Sequence, residues 1–315
     1  MLHPKLSIVM SVYNAEVYLR KAIDSVLNQT FKEFEFIIVD DCSIDSSKEI
    51  IKSYDDERII LIENQQNLGV SKSCNFAISK AKSEIIVRMD SDDICYPNRL
   101  EVQYQYFQEN HDVILIGSNA DIIDMDGHFI HKTDLPITDE ALKNSVKNKA
   151  TFINPTVAFR KSCFEKVGGY YEPIKHYFED FILWNQLASL GKFHVIEESL
   201  IQYRVVMNSI STTIASPKYL EIEKKVAQNG FATQEQLNFI FEEKKKVGSI
   251  KNKQIGYYQV LAQRIIFHGS DTQFARLSLL KSFKANPCSI KTYILLVLSF
   301  MPKAVLNLIY KLGSK

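Results

Sequence analysis

Cysteine is scarce and unorganised in this chain. Its five cysteines (Cys42, Cys74, Cys95, Cys163 and Cys288) are scattered through 315 residues, odd in number and without a Cys-x-x-Cys pair. That argues against a disulfide framework and predicts reduced thiols in a cytoplasmic protein. Long hydrophobic runs are lacking too. The longest late apolar stretch, Tyr293 to Phe300, falls far short of the ~20 residues a spanning helix needs. Met1 to Tyr13 has an early lysine and a short apolar run but no small-residue cleavage site, and reads as a first strand rather than a signal peptide. Neither a Gly-x-x-x-x-Gly-Lys-Ser/Thr loop nor a G-x-G-x-x-G occurs, which removes the physical basis for P-loop and dinucleotide readings. Net charge is nearly absent: 38 Lys+Arg against 37 Asp+Glu give +1, too little for a nucleic-acid binder that relies on bulk positive charge.

What remains is ordinary globular composition, 46% hydrophobic and 24% charged, long enough for roughly two units. The neutral total hides an asymmetry. Residues 1–216 hold 22 Lys+Arg and 31 Asp+Glu, hence −9, while residues 217–315 hold 16 and 6, hence +10. The composition shift at Ser216–Pro217 predicts a boundary, with one domain over 1–216 and a basic helical region over 217–315.

The first hundred residues alternate strand and helix. Leu6–Val12, Phe34–Val39, Arg58–Ile62 and Glu84–Met89 read as strands, with Ala15–Gln29, a helix through Ile50-Ile51, and Val70–Ala81 between them. This rhythm predicts an α/β fold with a mostly parallel sheet and flanking helices. Further on, Val113–Gly117 and Asn154–Arg160 are expected strands, Asp126-Gly127 a hairpin turn, and Tyr177–Leu190 a helix. Phe193–Glu197 and Leu200–Val205 are expected as two last strands. After Pro217 the pattern predicts helices only: one near Tyr219–Asn229, one opened by Thr233 and Gln236 at capping-box spacing, and two more.

In such sheets ligands bind beyond the carboxyl ends of the strands. Three strands deliver polar clusters there: Ser11–Asn14, Asp40-Asp41 and Asp90–Asp93. Asp90-Ser-Asp92-Asp93 after an apolar strand offers hard oxygens suited to Mg²⁺ or Mn²⁺, which take one or two carboxylates plus phosphate oxygens. A solvated acidic loop is the plainer reading of that segment alone, as helix capping is for Glu179-Asp180.

Five ordered motifs carry a resemblance. Ser11-Val-Tyr-Asn14, Val39-Asp-Asp-Cys-Ser43 with Asp45, Asn67-Leu-Gly69 with Asn75, Met89-Asp-Ser-Asp-Asp93, and Glu179-Asp180 with Leu183-Trp184 together resemble the family 2 glycosyltransferases over residues 5–211. The resemblance implies a GT-A fold and an inverting, metal-dependent transfer of sugar from a nucleotide sugar, most simply a UDP-sugar. It implies a nucleotide pocket from Ser11, Tyr13, Asn14, Asp40 and Asp41, with either aspartate able to face the base. It implies Lys72 near the nucleotide, Asp90 near the ribose, Asp92 on a Mn²⁺ or Mg²⁺ ion, and Asp180 as the catalytic base. Ser11 stands where the family often has Pro. Val206-Met207 occupy a stretch between Tyr203-Arg204 and Ser209-Ile-Ser211 that often carries a His, so Arg204 is left as a phosphate candidate, against strand-end salt bridging. His176 reads as a loop-surface residue.

The implied acceptor is a glycan or lipid-linked hydroxyl in surface polysaccharide assembly. The interleaved lysines and aromatics after Pro217 read either as a solvated helical appendage or as a surface lying on anionic membrane, with Tyr293–Phe300 and Val305–Leu312 at the interface. The second reading puts the protein on the inner face of the cell membrane, with no nucleic-acid partner. A sugar nucleotidyltransferase would share the sheet but wants a Gly-rich basic loop after Val12, which is absent. A non-catalytic nucleotide-sugar or glycan-binding module would have no need for Asp92 and Asp180.

Overall fold

The structure, a computed structural model, describes residues 3–175, 177–207, 216–247, 250–269 and 271–313. His176 and Ser209-Ile-Ser211 lie outside the described residues. The expected alternation is present: β1 (Leu6–Val12), α1 (Glu16–Leu27), β2 (Phe34–Asp40), α2 (Ser47–Lys52), β3 (Ile59–Glu63), α3 (Val70–Lys80) and β4 (Ile85–Met89). Next come β5 (Ile94–Cys95), α4 (Arg99–Glu109), β6 (Val113–Ile123), β7 (Phe129–Lys132), α5 (Asp139–Val146), β8 (Ala158–Arg160), α6 (Lys161–Lys166), α7 (Glu179–Leu187) and β9 (Lys192–Arg204). The helical region holds α8 (Pro217–Asn229), α9 (Gln234–Val247), α10 (Ile250–Phe267), α11 (Thr272–Ala285), α12 (Ile290–Leu298) and α13 (Lys303–Gly313).

The sheet order is β3-β2-β1-β4-β8-β6-β9-β5, with β7 on β6. The β3-β2-β1-β4 half is parallel; β8 joins β4 antiparallel, and the described pairings beyond it are antiparallel too. Strands β1, β2 and β4 are buried on both faces, as helices on each side require, while the edge strand β3 is only partly buried. Leu6, Ile8, Met10 and Val12 of β1 pack with α1 residues in one core, whereas Val9 packs with Cys74, Ala77 and Ile78 of α3 in another. The two-residue period of a strand produces this split.

Three local expectations change. Asn154–Thr156 is a turn of 3₁₀ helix, and the strand starts only at Ala158, because Pro155 lacks a donor for a ladder but suits a first helical position. The two last strands are one continuous strand, β9. The helical region divides more finely than the expected four, with breaks around Pro287 and Pro302, which cannot continue a helix. Thr233 does form its capping box: its N–H donates to Gln236 Oε1 at 2.8 Å and its Oγ1 accepts from Gln236 N–H at 3.2 Å.

The chain forms two compact units that interleave in sequence, residues 1–120, 133–203 and 220–237 in the first and residues 121–132, 204–219 and 238–315 in the second. In the second unit, Gln259 on α10 donates to Ser289 Oγ at 2.8 Å and to Thr292 Oγ1 at 2.9 Å, a buried polar node between helices. His131 stacks on His268 with ring centroids 4.9 Å apart, and burial pushes His131 down to about 4.

Candidate active site

Register brings the polar strand ends together in the first unit. Val12 pairs with Asp40 and Met10 with Met89, so Ser11–Asn14, Asp40-Asp41 and Asp90–Asp93 leave the sheet at one rim. The loops after β1 and β2 then lock onto each other. Asn14, at a left-handed φ of 50°, donates its N–H to Ser43 Oγ at 3.1 Å and accepts Ile44 N–H on Oδ1 at 2.9 Å. Ala15 N–H donates to Ser47 Oγ at 2.8 Å and Glu16 N–H to Asp45 Oδ2 at 3.1 Å. Burial alone would raise Asp45, but bonds from Ser47 and the Glu16 N–H outweigh it and hold the carboxyl below its usual range. Asn14 is thus a loop clasp, while Tyr13 stands half exposed beside it and Ser11 is partly buried.

Asp40 and Asp41 are both buried but differently engaged. Asp41 accepts three bonds: Asn64 Nδ2 at 2.7 Å and Leu68 N–H at 2.9 Å on Oδ1, and Gly69 N–H at 2.8 Å on Oδ2. It anchors the loop that starts α3, where Gly69 needs its φ of 85° and a Cβ would stand 3.0 Å from Lys175 Cβ. Asp40 accepts one long bond, from Ser43 N–H at 3.4 Å, among the described residues. Lys72 is exposed in the first turn of α3.

On the α3 face of β4 a buried arginine organises the carboxylates. Arg88 Nη2 holds Asp90 Oδ1 at 2.9 Å, and its Nη1 donates to Val9 O at 3.1 Å. Arg88 is enclosed, whereas Asp90 is 35% exposed and keeps Oδ2 without a hydrogen bond among the described residues. Burial works against the guanidinium charge, but Cys74, Tyr170, Asp90 and Glu179 around it turn the net shift upward. Glu179 is buried at the start of α7, and desolvation followed by repulsion from Asp180 raises its carboxyl. Asp180 is raised as well, by desolvation first and by the Asp90 charge, although its Oδ1 accepts Phe181 N–H at 2.7 Å. Asp90, far away in sequence, therefore lies close enough for its charge to bear on Asp180. Asp92 is partly exposed in the loop after β4.

Motif residues beyond these are scaffold. Asn75 pins the loop before α7: its Nδ2 donates to Tyr170 O at 2.9 Å and its Oδ1 accepts Tyr170 N–H at 2.9 Å. Trp184 is a core ring, edge-on to Phe152 and Phe159. A cleft of about 300 Å³ beside Asn75, Gly168–Pro173 and Gln186 is lined by none of Asp40, Asp90, Asp92 or Asp180. Arg204 is described with the second unit, buried, its Nη1 donating to Asp124 O at 3.2 Å and Met125 O at 3.4 Å. In that unit Asp124, Asp126 and His128 come together at the β6–β7 turn, where Asp124 accepts the N–H groups of Asp126 and His128 at 2.9 and 2.8 Å.

Sequence reasoning missed Arg88. Its signal was a lone cation in the apolar run Ile85–Met89, two residues before Asp90 and hence on the same strand face.

Residues 7–168 match the sequence profile described as glycosyl transferase family 2. The chain belongs to that family. This glycosyltransferase is 31% identical over 207 residues to the O-antigen biosynthesis glycosyltransferase WbnJ of Escherichia coli, covering 64% of this chain and 79% of WbnJ. Its fold is that of GT-A enzymes. S. aureus TarS 1-349 in complex with UDP-GlcNAc superposes with a TM-score of 0.59 at 16% identity, over 98% of this chain and 92% of that one. The mannosyltransferase PcManGT from Pyrobaculum calidifontis, in complex with GDP-Man and Mn²⁺, gives a TM-score of 0.54 at 15% identity, over 98% and 81% of the two chains.

Proposed function

We propose that this glycosyltransferase is inverting and divalent-metal-dependent, and moves a sugar from a UDP-sugar to a hydroxyl of a glycan or lipid-linked oligosaccharide in surface polysaccharide assembly. The observation that carries the reading is the electrostatic coupling of Asp180 at the start of α7, a carboxylate with raised proton affinity, to the partly exposed Asp90 after β4, whose charge contributes to raising it. The O-antigen role in WbnJ's name supports the acceptor class, and the UDP-GlcNAc complex of TarS the donor class.

The residues divide the work as follows. Asp40, with spare acceptor capacity, takes the base N–H, and half-exposed Tyr13 packs on the ring beside Ser11. Lys72 lies toward the phosphates at the start of α3. Asp92, two residues after Asp90, would hold Mn²⁺ or Mg²⁺ as a hard carboxylate suited to such an ion, while the free Oδ2 of Asp90 accepts from the ribose. When bound, the ion supplies positive charge to the departing diphosphate. Asp180 accepts the acceptor hydroxyl's proton as its oxygen bonds to the anomeric carbon. The bond to the UDP oxygen breaks with its electron pair leaving on the diphosphate, which inverts the centre. A raised carboxyl is a stronger base than an ordinary one, and a positioned base contributes ~10²–10⁴-fold.

A thermal-shift screen with UDP, GDP, CMP, ADP and their sugars, each with Mn²⁺, tests the donor class. Saturating UDP at ~100 times its Kd should stabilise the fold by about 2.7 kcal/mol. Stabilisation by GDP but not UDP would overturn the UDP assignment.

A further inference from the structure

The helices of the second unit carry an apolar face that their own core does not use. In α12, Thr292 and Leu295 are buried, as is Ser299 just after it. Ile290, Tyr293, Ile294 and Val297 form a second stripe at spacings of three and four that faces outward, with Ile290 75% and Val297 59% exposed. Phe300, just beyond, is 67% exposed. On α11, Ala275, Ser278, Leu279 and Ser282 pack inward while Leu277, Leu280 and Phe283 are exposed. Side-chain contacts join the two outward faces into one patch. Phe283 meets Tyr293 edge-on at 5.8 Å, and the Arg276 guanidinium sits 4.0 Å over Phe300 while donating to Ser299 O at 2.9 Å.

The charge around this patch has one sign. From Thr272 to Lys315 the sequence has seven Lys or Arg and not one Asp or Glu. Lys281 and Lys284 are exposed on α11, among the apolar side chains. A second copy of this chain would bring the same positive charge against the patch and repel it, whereas an anionic lipid surface would neutralise it. No described helix is long and apolar enough to cross a membrane, so such a patch can lie only in the interface.

We propose that the outward face of α11 and α12 docks on an anionic bilayer surface, with Ile294, Val297 and Phe300 entering the headgroup region and Lys281 and Lys284 meeting lipid phosphates. Exposed Tyr293 suits the boundary, its ring apolar and its hydroxyl a polar tip that donates to Pro287 O at 2.8 Å. Docking of this kind concentrates the enzyme where a lipid-linked acceptor resides.

Flotation of the full chain with vesicles of phosphatidylcholine, alone or mixed with phosphatidylglycerol, tests this. Binding is expected with the mixed vesicles at low salt, little with phosphatidylcholine alone, and a clear loss in high salt. Lys281→Glu with Lys284→Glu should weaken it at least tenfold, since each lysine near such a surface contributes on the order of fivefold. Ile294→Asp with Val297→Asp should abolish it, with an unchanged melting profile as the folding control. No flotation of the wild-type chain with mixed vesicles at low salt would overturn the proposal. So would a micromolar dimer in solution that Ile294→Asp dissociates, which would make a second copy the occupant. The assay contains no sugar donor, so its failure and a failure of the catalytic reading are separate outcomes.

Discussion

In a strand, successive side chains point to opposite faces, and Asp40-Asp41 shows what this does to two identical neighbours. Asp41 faces α3 and saturates its carboxylate with Asn64, Leu68 and Gly69; Asp40 faces the other way with one long bond from Ser43. Asp41→Ala would orphan two backbone N–H groups at the start of α3 and should cost roughly 3 kcal/mol, read as a lower melting temperature. Asp40→Ala should keep stability within about 1 kcal/mol of wild type and lose UDP binding, as measured by calorimetry. The sequence named both aspartates but could not separate them, because the bonds that distinguish them come from residues 3 to 28 positions away. Arg88 was hidden for a related reason: only the buried company of Cys74, Tyr170 and Glu179 reveals why a cation interrupts an apolar strand.

At the scale of elements, the parallel half was legible and the antiparallel half only in part: β6, β9 and the Asp126-Gly127 turn follow from the pattern, whereas β5 and the start of β8 do not. β1, β2 and β4 are five- to seven-residue apolar runs between helices with clear periodicity. β5 has two residues and β8 three, too few to show any period. The loop before α7 illustrates how a motif can serve structure. Asn75 holds both the N–H and the C=O of Tyr170, and Gly169, at φ 79°, has room for no Cβ, which would lie 2.8 Å from Asn75 Oδ1. Asn75→Ala should lower stability by about 2 kcal/mol in denaturant melts through the unpaired backbone groups. Gly169→Ala should cost a similar ~1–3 kcal/mol, by strain and by collision.

For the whole molecule, stability should carry the signature of the buried acids. Glu179 is raised from 4.5 to about 8 in the fold. Between those values the native state binds more protons than the unfolded chain, so the group's contribution to stability falls as pH rises. Glu179→Gln should therefore gain melting temperature relative to wild type at pH 8 more than at pH 5; an equal change at both would mean the carboxyl titrates normally. The near-zero net charge likewise resolves only by region: the acids of 1–216 include the site carboxylates, and the +10 of 217–315 accompanies the exposed apolar face of α11 and α12.

The central claim is that Asp180 takes the proton in a metal-dependent transfer from a UDP-sugar. The most direct measurement is UDP release from a panel of UDP-sugars with Mn²⁺, by wild type and Asp180→Asn, alongside the UDP dissociation constant of each. Wild type should release UDP from at least one sugar, and Asp180→Asn should lose at least ~10²-fold of that rate with UDP affinity nearly unchanged. Release by Asp180→Asn at the wild-type rate, or loss of UDP affinity in that variant, would contradict the account.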